Sequence, residues 1–220
     1  MIGFYNYSVI VTYLGVISSM IGISLACNGI FDGAILCLAL AGACDTFDGK
    51  IARAMKNRTH EMEIFGVQID SLCDMVCFGV TPAVICYQMG LKSVAGICCE
   101  IFFVLCGVIR LAYFNMLEEL KHSKPASADE KKYYHGLPIT SITIIFPVVY
   151  IFRTLLDGHF TILLAVMLLF VGFFYILDFR LKKPGNAVVA AIMAFVALVM
   201  LNIFFFHLFW KGFALWITLI

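Results

Sequence analysis

The chain has 220 residues, of which 63% are hydrophobic and 13% are charged, and its formal net charge is +1. Because soluble domains are about half apolar and about one quarter charged, this composition excludes an ordinary soluble domain and predicts an integral membrane protein. The sequence also has no basic patch with interleaved aromatic residues, so we expect no nucleic-acid partner.

Apolar runs long enough to cross a bilayer recur along the whole chain. We place the spans at about 8–27, 33–54, 64–89, 94–117, 138–156, 160–178 and 187–208. The predicted fold class is therefore an all-α bundle of about seven transmembrane helices (six to eight), forming one membrane domain over residues 1–220. The apolar tail from Gly212 to Ile220 is expected to add a half-span or to lie at the interface. The long polar segment 118–136 is predicted to be a loop.

Lys and Arg residues are concentrated in the connections that follow the second, fourth and sixth predicted spans. Cytoplasmic loops of membrane proteins carry an excess of these two residues. This asymmetry predicts a multi-pass protein of the cell membrane, with those connections, including the 118–136 loop, in the cytoplasm.

Four aspartates are unusual because ionisable groups inside membrane spans are costly and usually functional. Asp45 and Asp48 are three positions apart near the end of the second span, and Asp70 and Asp74 are four apart in the third. On helices, both spacings place the two side chains on one face, one turn above the other. If these spans are antiparallel neighbours, the four carboxylates face each other at one depth near the cytoplasm.

Four carboxylates in a partly dry cavity repel each other, and a divalent cation removes that repulsion. Because the donors are oxygens, without His, the cluster favours Mg²⁺ or Mn²⁺ over zinc. Such a cluster can hold two ions, the arrangement that clamps a phosphoryl group during transfer. Two other interpretations stay open. The aspartates could be helix-end residues wetted by the interface, or belong to a divalent-cation transporter, which would need acids along a path through several spans.

Small and basic residues accompany the aspartates. Gly49 follows Asp48, and Gly66 lies four positions before Asp70, so that backbone or ligand can approach closely at both places. Ordinary helix packing explains either glycine equally well when it is taken alone. Arg53, one turn beyond Gly49, can present a planar fork of donors to a phosphate.

The combined pattern resembles the motif of the CDP-alcohol phosphatidyltransferases; it reads Asp45-x-x-Asp48-Gly49-x-x-Ala52-Arg53, then Gly66-x-x-x-Asp70-x-x-x-Asp74. The resemblance implies a homodimeric membrane enzyme with Asp74 as general base and with two metal ions held by Asp45, Asp48, Asp70 and Asp74. It also implies a site for the CDP-lipid formed by Thr46, Gly49, Ala52, Arg53 and Gly66. Twelve residues separate Arg53 from Gly66, more than the family usually has; an extra helical turn or a longer cytoplasmic loop can absorb them, and we favour the loop.

Further stretches resemble one branch of this family, the bacterial and archaeal phosphatidylserine synthases; they are residues 70–74, 78–83, 110–115 and 136–140. This branch implies transfer of the phosphatidyl group from CDP-diacylglycerol to L-serine. Arg110, a cation inside a span, is then predicted to bind the serine carboxylate, with an intramembrane ion pair as an equal alternative. Met75 argues against the branch that makes phosphatidylglycerophosphate, which typically has Lys at this position. Inositol phosphate, glycerol phosphate or another small alcohol stays open as the acceptor.

Overall fold

The computed structural model describes residues 3–4, 7–55, 59–123, 133–182 and 185–218. Its helices are α1 (Tyr7–Cys27), α2 (Phe31–Ala54), α3 (His60–Asp74), α4 (Thr81–Gln88), α5 (Val94–Ser123), α6 (Ile142–Ile151), α7 (Arg153–Leu156), α8 (Phe160–Ile176) and α9 (Asn186–Thr218). A π-helical turn, Met75–Val80, joins α3 to α4. Short 3₁₀ turns, Ile139–Ser141 and Asp157–His159, precede α6 and α8. The predicted spans fall on helices, although the one at 138–156 is divided between α6 and α7, and the helical membrane fold is confirmed.

Length and composition identify four segments that can cross a membrane: Val9–Cys27, His60–Gln88, Val94–Leu120 and Ala187–Phe205. Two shorter apolar helices cover Ile139–Ile151 and Phe160–Ile176. The helix α2 is 24 residues long, but its aspartates and basic residues make it less apolar than these segments. The chain is therefore a helical membrane protein, and its aspartate-bearing second helix is unusually polar for a membrane setting.

The polar connections differ from the prediction in two ways. Because α5 continues to Ser123, the first part of the predicted 118–136 loop is helical. The same loop ends in a short strand, β1 (Tyr133–His135), which pairs antiparallel with β2 (Arg180–Lys182). Three residues per strand are too few to show the alternation by which a strand is recognised in sequence, so this ribbon could not be predicted.

The apolar tail from Gly212 is not a separate half-span as far as the structure describes it. The helix α9 runs without interruption to Thr218 and has 33 residues, which corresponds to a length of about 50 Å. A single glycine disfavours a helix by only about 1 kcal/mol relative to alanine. The expected break before Gly212 is therefore absent, and the tail prolongs α9 beyond the length that a bilayer core of about 30 Å requires.

Glycines bring α1, α2 and α6 close together beside the aspartates. A Cβ added to Gly22 of α1 would lie 3.0 Å from the Cβ of Cys37 on α2. One added to Gly42 of α2 would lie 2.7 Å from the hydroxyl oxygen of Thr143 on α6. Membrane helices approach closely through such small residues, since lipid provides no hydrophobic driving force between them. The helix α2 is thereby packed against α6 about one turn before Asp45 and against α1 about two turns before it.

The core is built from large apolar side chains of several helices, α2 included. Phe78, Phe103, Phe146 and Tyr175 are among the largest fully buried side chains. The Tyr175 hydroxyl donates a hydrogen bond of 2.8 Å to the carbonyl oxygen of Ile139, so its polar end is satisfied inside the bundle. Many Leu, Ile and Phe side chains on the outside of the bundle are exposed, as expected for helices that face lipid rather than water.

A candidate metal centre between the second and third helices

Three of the four predicted aspartates lie together. One carboxylate oxygen from each of Asp45, Asp70 and Asp74 lies within 4.8 Å of the other two. Asp45 and Asp74 line a small cavity, and Cys73 and Cys77 line it as well. Among the described residues, however, the group of neighbouring ligand atoms contains carboxylates alone. Close carboxylates repel each other unless a cation lies between them. Their all-oxygen donor set fits a hard divalent cation.

Asp48 is held differently from the other three aspartates. It is 4% exposed, and its Oδ2 accepts a hydrogen bond of 2.6 Å from the Thr12 hydroxyl of α1. It lines the small cavity that Asp45 and Asp74 also line, yet it does not belong to the group of three carboxylates. A lone threonine in an apolar span carries no signal in sequence, so Thr12 was not predicted. Metal ligation by Asp48 stays a prediction.

The long spacing between Arg53 and Gly66 does not separate Gly66 from the two aspartates of α3, because all three lie on the same helix. The helix α2 ends one residue after Arg53, and α3 begins at His60, where the Thr59 hydroxyl accepts a hydrogen bond from the Met62 N–H. Gly66 therefore lies inside α3, and the same helix continues through the two aspartates at the predicted spacing. Residues 60–65 form the first turns of α3, whereas a longer loop was favoured over an extra helical turn; residues 56–58 lie outside the described part of the chain.

The residues predicted to bind the CDP-lipid continue the same face of α2. Gly49 and Ala52 follow Asp45 by four and seven positions on this helix. The Thr46 hydroxyl donates a hydrogen bond of 3.0 Å to the Gly42 carbonyl oxygen. The side chain of Arg53 lies outside the described part of the chain. Contacts between these residues and a CDP-lipid stay predictions.

An amide on α5 holds α3 in place on both sides of Asp70. The Ser71 hydroxyl donates a hydrogen bond of 2.7 Å to Oδ1 of Asn115. In turn, Nδ2 of Asn115 donates one of 3.2 Å to Oε1 of Gln68. Asn115 lies in the 110–115 stretch but had no predicted role. Because both bonds end on α3, this side chain sets the position of the aspartate-bearing face relative to α5.

A π-helical turn begins directly after Asp74. The Thr81 hydroxyl, at the start of α4, donates a hydrogen bond of 2.9 Å to the carbonyl oxygen of Val76 within this turn. The Met75 side chain lies against Gly79, where an added Cβ would overlap its terminal methyl group, and against Gly107 of α5. Such turns occur frequently at functional sites. Here the turn, with Met75 packed against Gly79 and Gly107, determines the direction in which the chain leaves the carboxylate group.

Arg110 binds the backbone of the connection between β1 and α6. Its side chain is 7% exposed, and its Nε donates a hydrogen bond of 3.0 Å to the Leu137 carbonyl oxygen. The preceding residue, Gly136, has φ of +72° and donates its N–H to the Phe179 carbonyl oxygen at 2.7 Å. A Cβ at Gly136 would lie 3.1 Å from the carbonyl oxygen of Leu177. Arg110 thus helps to join α5 to the end of α8, and its predicted contact with a serine carboxylate stays a prediction.

A large apolar cavity lies between α2, α6 and α9 and was not predicted. Its volume is about 1050 Å³, and residues of α2, α6 and α9 line it. Along α2 its lining extends from Thr46 to Asp32 near the helix start, largely on the face turned away from Asp45 and Asp48. Pockets for small ligands typically measure about 300–1,000 Å³, so this one is large enough for a sizeable apolar ligand. Cavities between helices that are far apart in the chain leave no local pattern in sequence.

Comparisons with known proteins agree with this arrangement. The sequence model of the family described as CDP-alcohol phosphatidyltransferase matches residues 5–173. A CDP-diacylglycerol–serine O-phosphatidyltransferase of Saccharomyces cerevisiae is 38% identical over 116 residues, which are 52% of this chain and 40% of that protein. A protein of that name from Methanocaldococcus jannaschii is 28% identical over 184 residues, 84% of this chain and 77% of the relative. An archaetidylserine synthase of Methanothermobacter thermautotrophicus is 33% identical over 109 residues, 49% of this chain and 46% of the relative. The chain thus spans less than half the length of several curated relatives that it matches.

Proposed function

This chain belongs to the CDP-alcohol phosphatidyltransferase family, and on that premise we propose that it transfers the phosphatidyl group of CDP-diacylglycerol to L-serine. The products are phosphatidylserine and CMP. The choice of serine is supported by the names of the relatives from yeast and Methanocaldococcus jannaschii and by the stretches that resemble phosphatidylserine synthases.

The observation that carries this proposal is the carboxylate group of Asp45, Asp70 and Asp74 inside a helical membrane protein. A CDP-lipid has a charged diphosphate joined to long apolar chains. Its diphosphate fits a hard metal centre, and its chains fit an apolar space inside the membrane. The carboxylate group therefore matches the charged part of this substrate, and the surrounding bilayer matches its chains.

In the proposed reaction, the serine hydroxyl oxygen attacks the phosphorus atom that carries the diacylglycerol group. Asp74 accepts the hydroxyl proton as the new phosphorus–oxygen bond forms, and the bond to the CMP oxygen breaks, so that CMP leaves. Arg53, Gly49 and Thr46 bind the cytidine diphosphate, and Arg110 binds the serine carboxylate. Two Mg²⁺ or Mn²⁺ ions, held by the four aspartates, would supply the charge that stabilises the diphosphate and the developing leaving group. Thr12 orients Asp48 through its hydrogen bond.

We further propose that the carboxylate group faces the cytoplasm and that the protein is a homodimer in the cell membrane. The distribution of Lys and Arg supports the orientation, and the resemblance to the family supports the dimer. Labelled L-serine added to sealed vesicles of known orientation tests the first point, because incorporation is expected only from the cytoplasmic face. The mass of the purified protein in detergent, measured by light scattering, tests the second.

The proposed activity is tested by CMP release from purified protein in lipid with CDP-diacylglycerol and Mg²⁺ or Mn²⁺. We expect release that depends on L-serine. Inositol phosphate, glycerol phosphate and glycerol are offered in parallel reactions. Release with one of these acceptors alone would retain the reaction class and contradict the choice of serine. Metal flux into liposomes without a CDP-lipid, together with no CMP release, would instead indicate a transporter.

Replacement of Asn115 by alanine is expected to lower kcat by about fivefold, since a lost side-chain hydrogen bond is worth about 1 kcal/mol and α3 loses its contact with α5. The effects of Asn115→Ala and Ser71→Ala should be less than additive, because the two side chains share one bond. A double-mutant cycle on kcat measures this coupling. Met116→Ala, at the neighbouring position that is 45% exposed, is the control. Strict additivity would show that the bond between Asn115 and Ser71 does not position the aspartates.

A further inference from the structure

Met75, the residue directly after Asp74, holds its side chain in a narrow space beside two glycines. Met75 is the first residue of the π-helical turn. A Cβ added to Gly79, in the same turn, would overlap the terminal methyl group of Met75 and would lie 3.0 Å from its Sδ. One added to Gly107 of α5 would lie 3.5 Å from that methyl carbon and 3.6 Å from Sδ. The space is open because both of these helical positions lack a side chain.

The third side of this space is the 3₁₀ turn that precedes α6. A Cβ at Gly107 would lie 3.3 Å from Ile139 Cδ1, so the side chains of Ile139 and Met75 lie against the same glycine. The backbone of Ile139 is fixed, because its carbonyl oxygen accepts a hydrogen bond of 2.8 Å from the buried Tyr175 hydroxyl. We call the space between Gly79, Gly107 and Ile139 the Met75 slot.

The Met75 slot connects the parts of the chain that carry the two groups to which the proposed reaction assigns the acceptor. The backbone of Met75 adjoins Asp74, the proposed base. Its side chain reaches Gly107, which lies three positions before Arg110 on α5, and positions three apart share a helix face. Arg110 is itself bonded to the carbonyl oxygen of Leu137. Part of the Met75 surface stays exposed, so a ligand that extends from Arg110 to Asp74 can contact it.

We propose that the Met75 side chain forms a wall of the acceptor site and limits the length of the alcohol that reaches from Arg110 to Asp74. This inference rests on the proposed function, in which Arg110 binds the carboxylate of serine and Asp74 accepts the proton of its hydroxyl. L-Homoserine has the same charged groups as L-serine, but its hydroxyl is one methylene group farther from the α-carbon. To reach both ends it must bend outwards, and the thioether of Met75 occupies the room that the bend requires.

The first test removes the wall and measures kcat/KM for CMP release with L-serine and with L-homoserine. Met75→Ala removes Cγ, Sδ and Cε, and we expect it to raise the ratio of homoserine to serine kcat/KM by about tenfold, the usual effect of room for one methylene group. Met75→Leu refills the slot with an apolar side chain of similar volume and should keep the wild-type ratio. Both acceptors are measured on one preparation, so the fraction of folded protein cancels from the ratio.

Leu72→Ala is the matched control for this test. Leu72 lies on the same helix, three positions before Met75, but its side chain is 66% exposed. The substitution also removes apolar atoms from α3, yet it leaves the Met75 slot filled, so the ratio should stay at the wild-type value. A rise of equal size in Leu72→Ala and Met75→Ala would contradict the proposal, because a general loosening of α3 would then explain both.

The second test pushes the Met75 side chain out of its slot. Gly79→Ala places a methyl group where the end of Met75 lies, so kcat/KM for serine should fall by about fivefold or more. Alanine favours a helix more than glycine does, so the loss must come from the contact and not from the backbone. Adding Met75→Ala to Gly79→Ala removes the overlapping atoms, and the double variant should recover the activity of Met75→Ala. Full serine activity in Gly79→Ala would contradict the proposal.

The wild-type protein separates a failure of this inference from a failure of the proposed function. If it releases CMP with serine but Met75→Ala keeps the wild-type ratio, the wall is overturned and the proposed function stands. If it uses neither amino acid while another alcohol supports release, the proposed function fails, and this inference fails with it. Binding of a fluorescent CDP-diacylglycerol should be the same in every variant. A loss of lipid binding in Met75→Ala as large as its loss of serine turnover would assign Met75 to the lipid and contradict the proposal.

Discussion

Replacement of Asp74 by asparagine is expected to lower kcat by about a thousandfold while largely preserving CDP-lipid binding. Asparagine has nearly the same size but cannot accept the proton of the serine hydroxyl, and general bases contribute about 10²–10⁴ in rate. Asp74 lies at the end of α3 within the group of three carboxylates, so its oxygen is beside the proposed phosphate site. Measurement of kcat for CMP release, together with lipid binding at equilibrium, separates proton transfer from binding.

Asp178→Asn is the matched control for this substitution, because it makes the same chemical change at an exposed position after α8. We expect turnover of the control to remain close to that of the wild type. Wild-type turnover by Asp74→Asn would remove this residue from the mechanism. A loss of lipid binding as large as the loss of kcat would assign Asp74 to binding alone.

Removal of divalent metal is expected to abolish turnover. An ion at a phosphoryl group contributes several kcal/mol of charge stabilisation, so treatment with EDTA should lower the rate by about a thousandfold or more. Mg²⁺ or Mn²⁺ should restore it, because both ions prefer the oxygen donors that the carboxylate group offers. CMP release is measured while each ion is titrated back into the treated protein.

Asp45→Asn provides a second measurement of the same centre. It removes one of three neighbouring carboxylate charges, so the metal concentration for half-maximal rate should rise by about tenfold or more. The control Asp178→Asn should titrate like the wild type. Full activity after exhaustive chelation, or an unchanged metal requirement in Asp45→Asn, would show that these carboxylates do not hold a catalytic ion.

Much of the site could be predicted because its signals are local. The spacing of Asp45 and Asp48, and of Asp70 and Asp74, places each pair on one helical face whatever surrounds it. Hydropathy located the spans for the same reason, since the length of an apolar run depends on neighbouring residues alone. Two features were not predicted, namely the short ribbon of β1 and β2 and the continuation of α9 past Gly212. Both lie where local signals in the sequence are weak.

The sequence by itself determined the membrane class, the spans, the register of the aspartates and the family motif, all of which follow from near neighbours in the chain. Only the tertiary structure decided which side chains meet. Thr12 and Asp48 are 36 positions apart, Ser71 and Asn115 are 44 apart, and Tyr150 and Asp32 are 118 apart. Such contacts, and the cavity between α2, α6 and α9, depend on how helices pack against each other, and no periodicity within one helix encodes that packing.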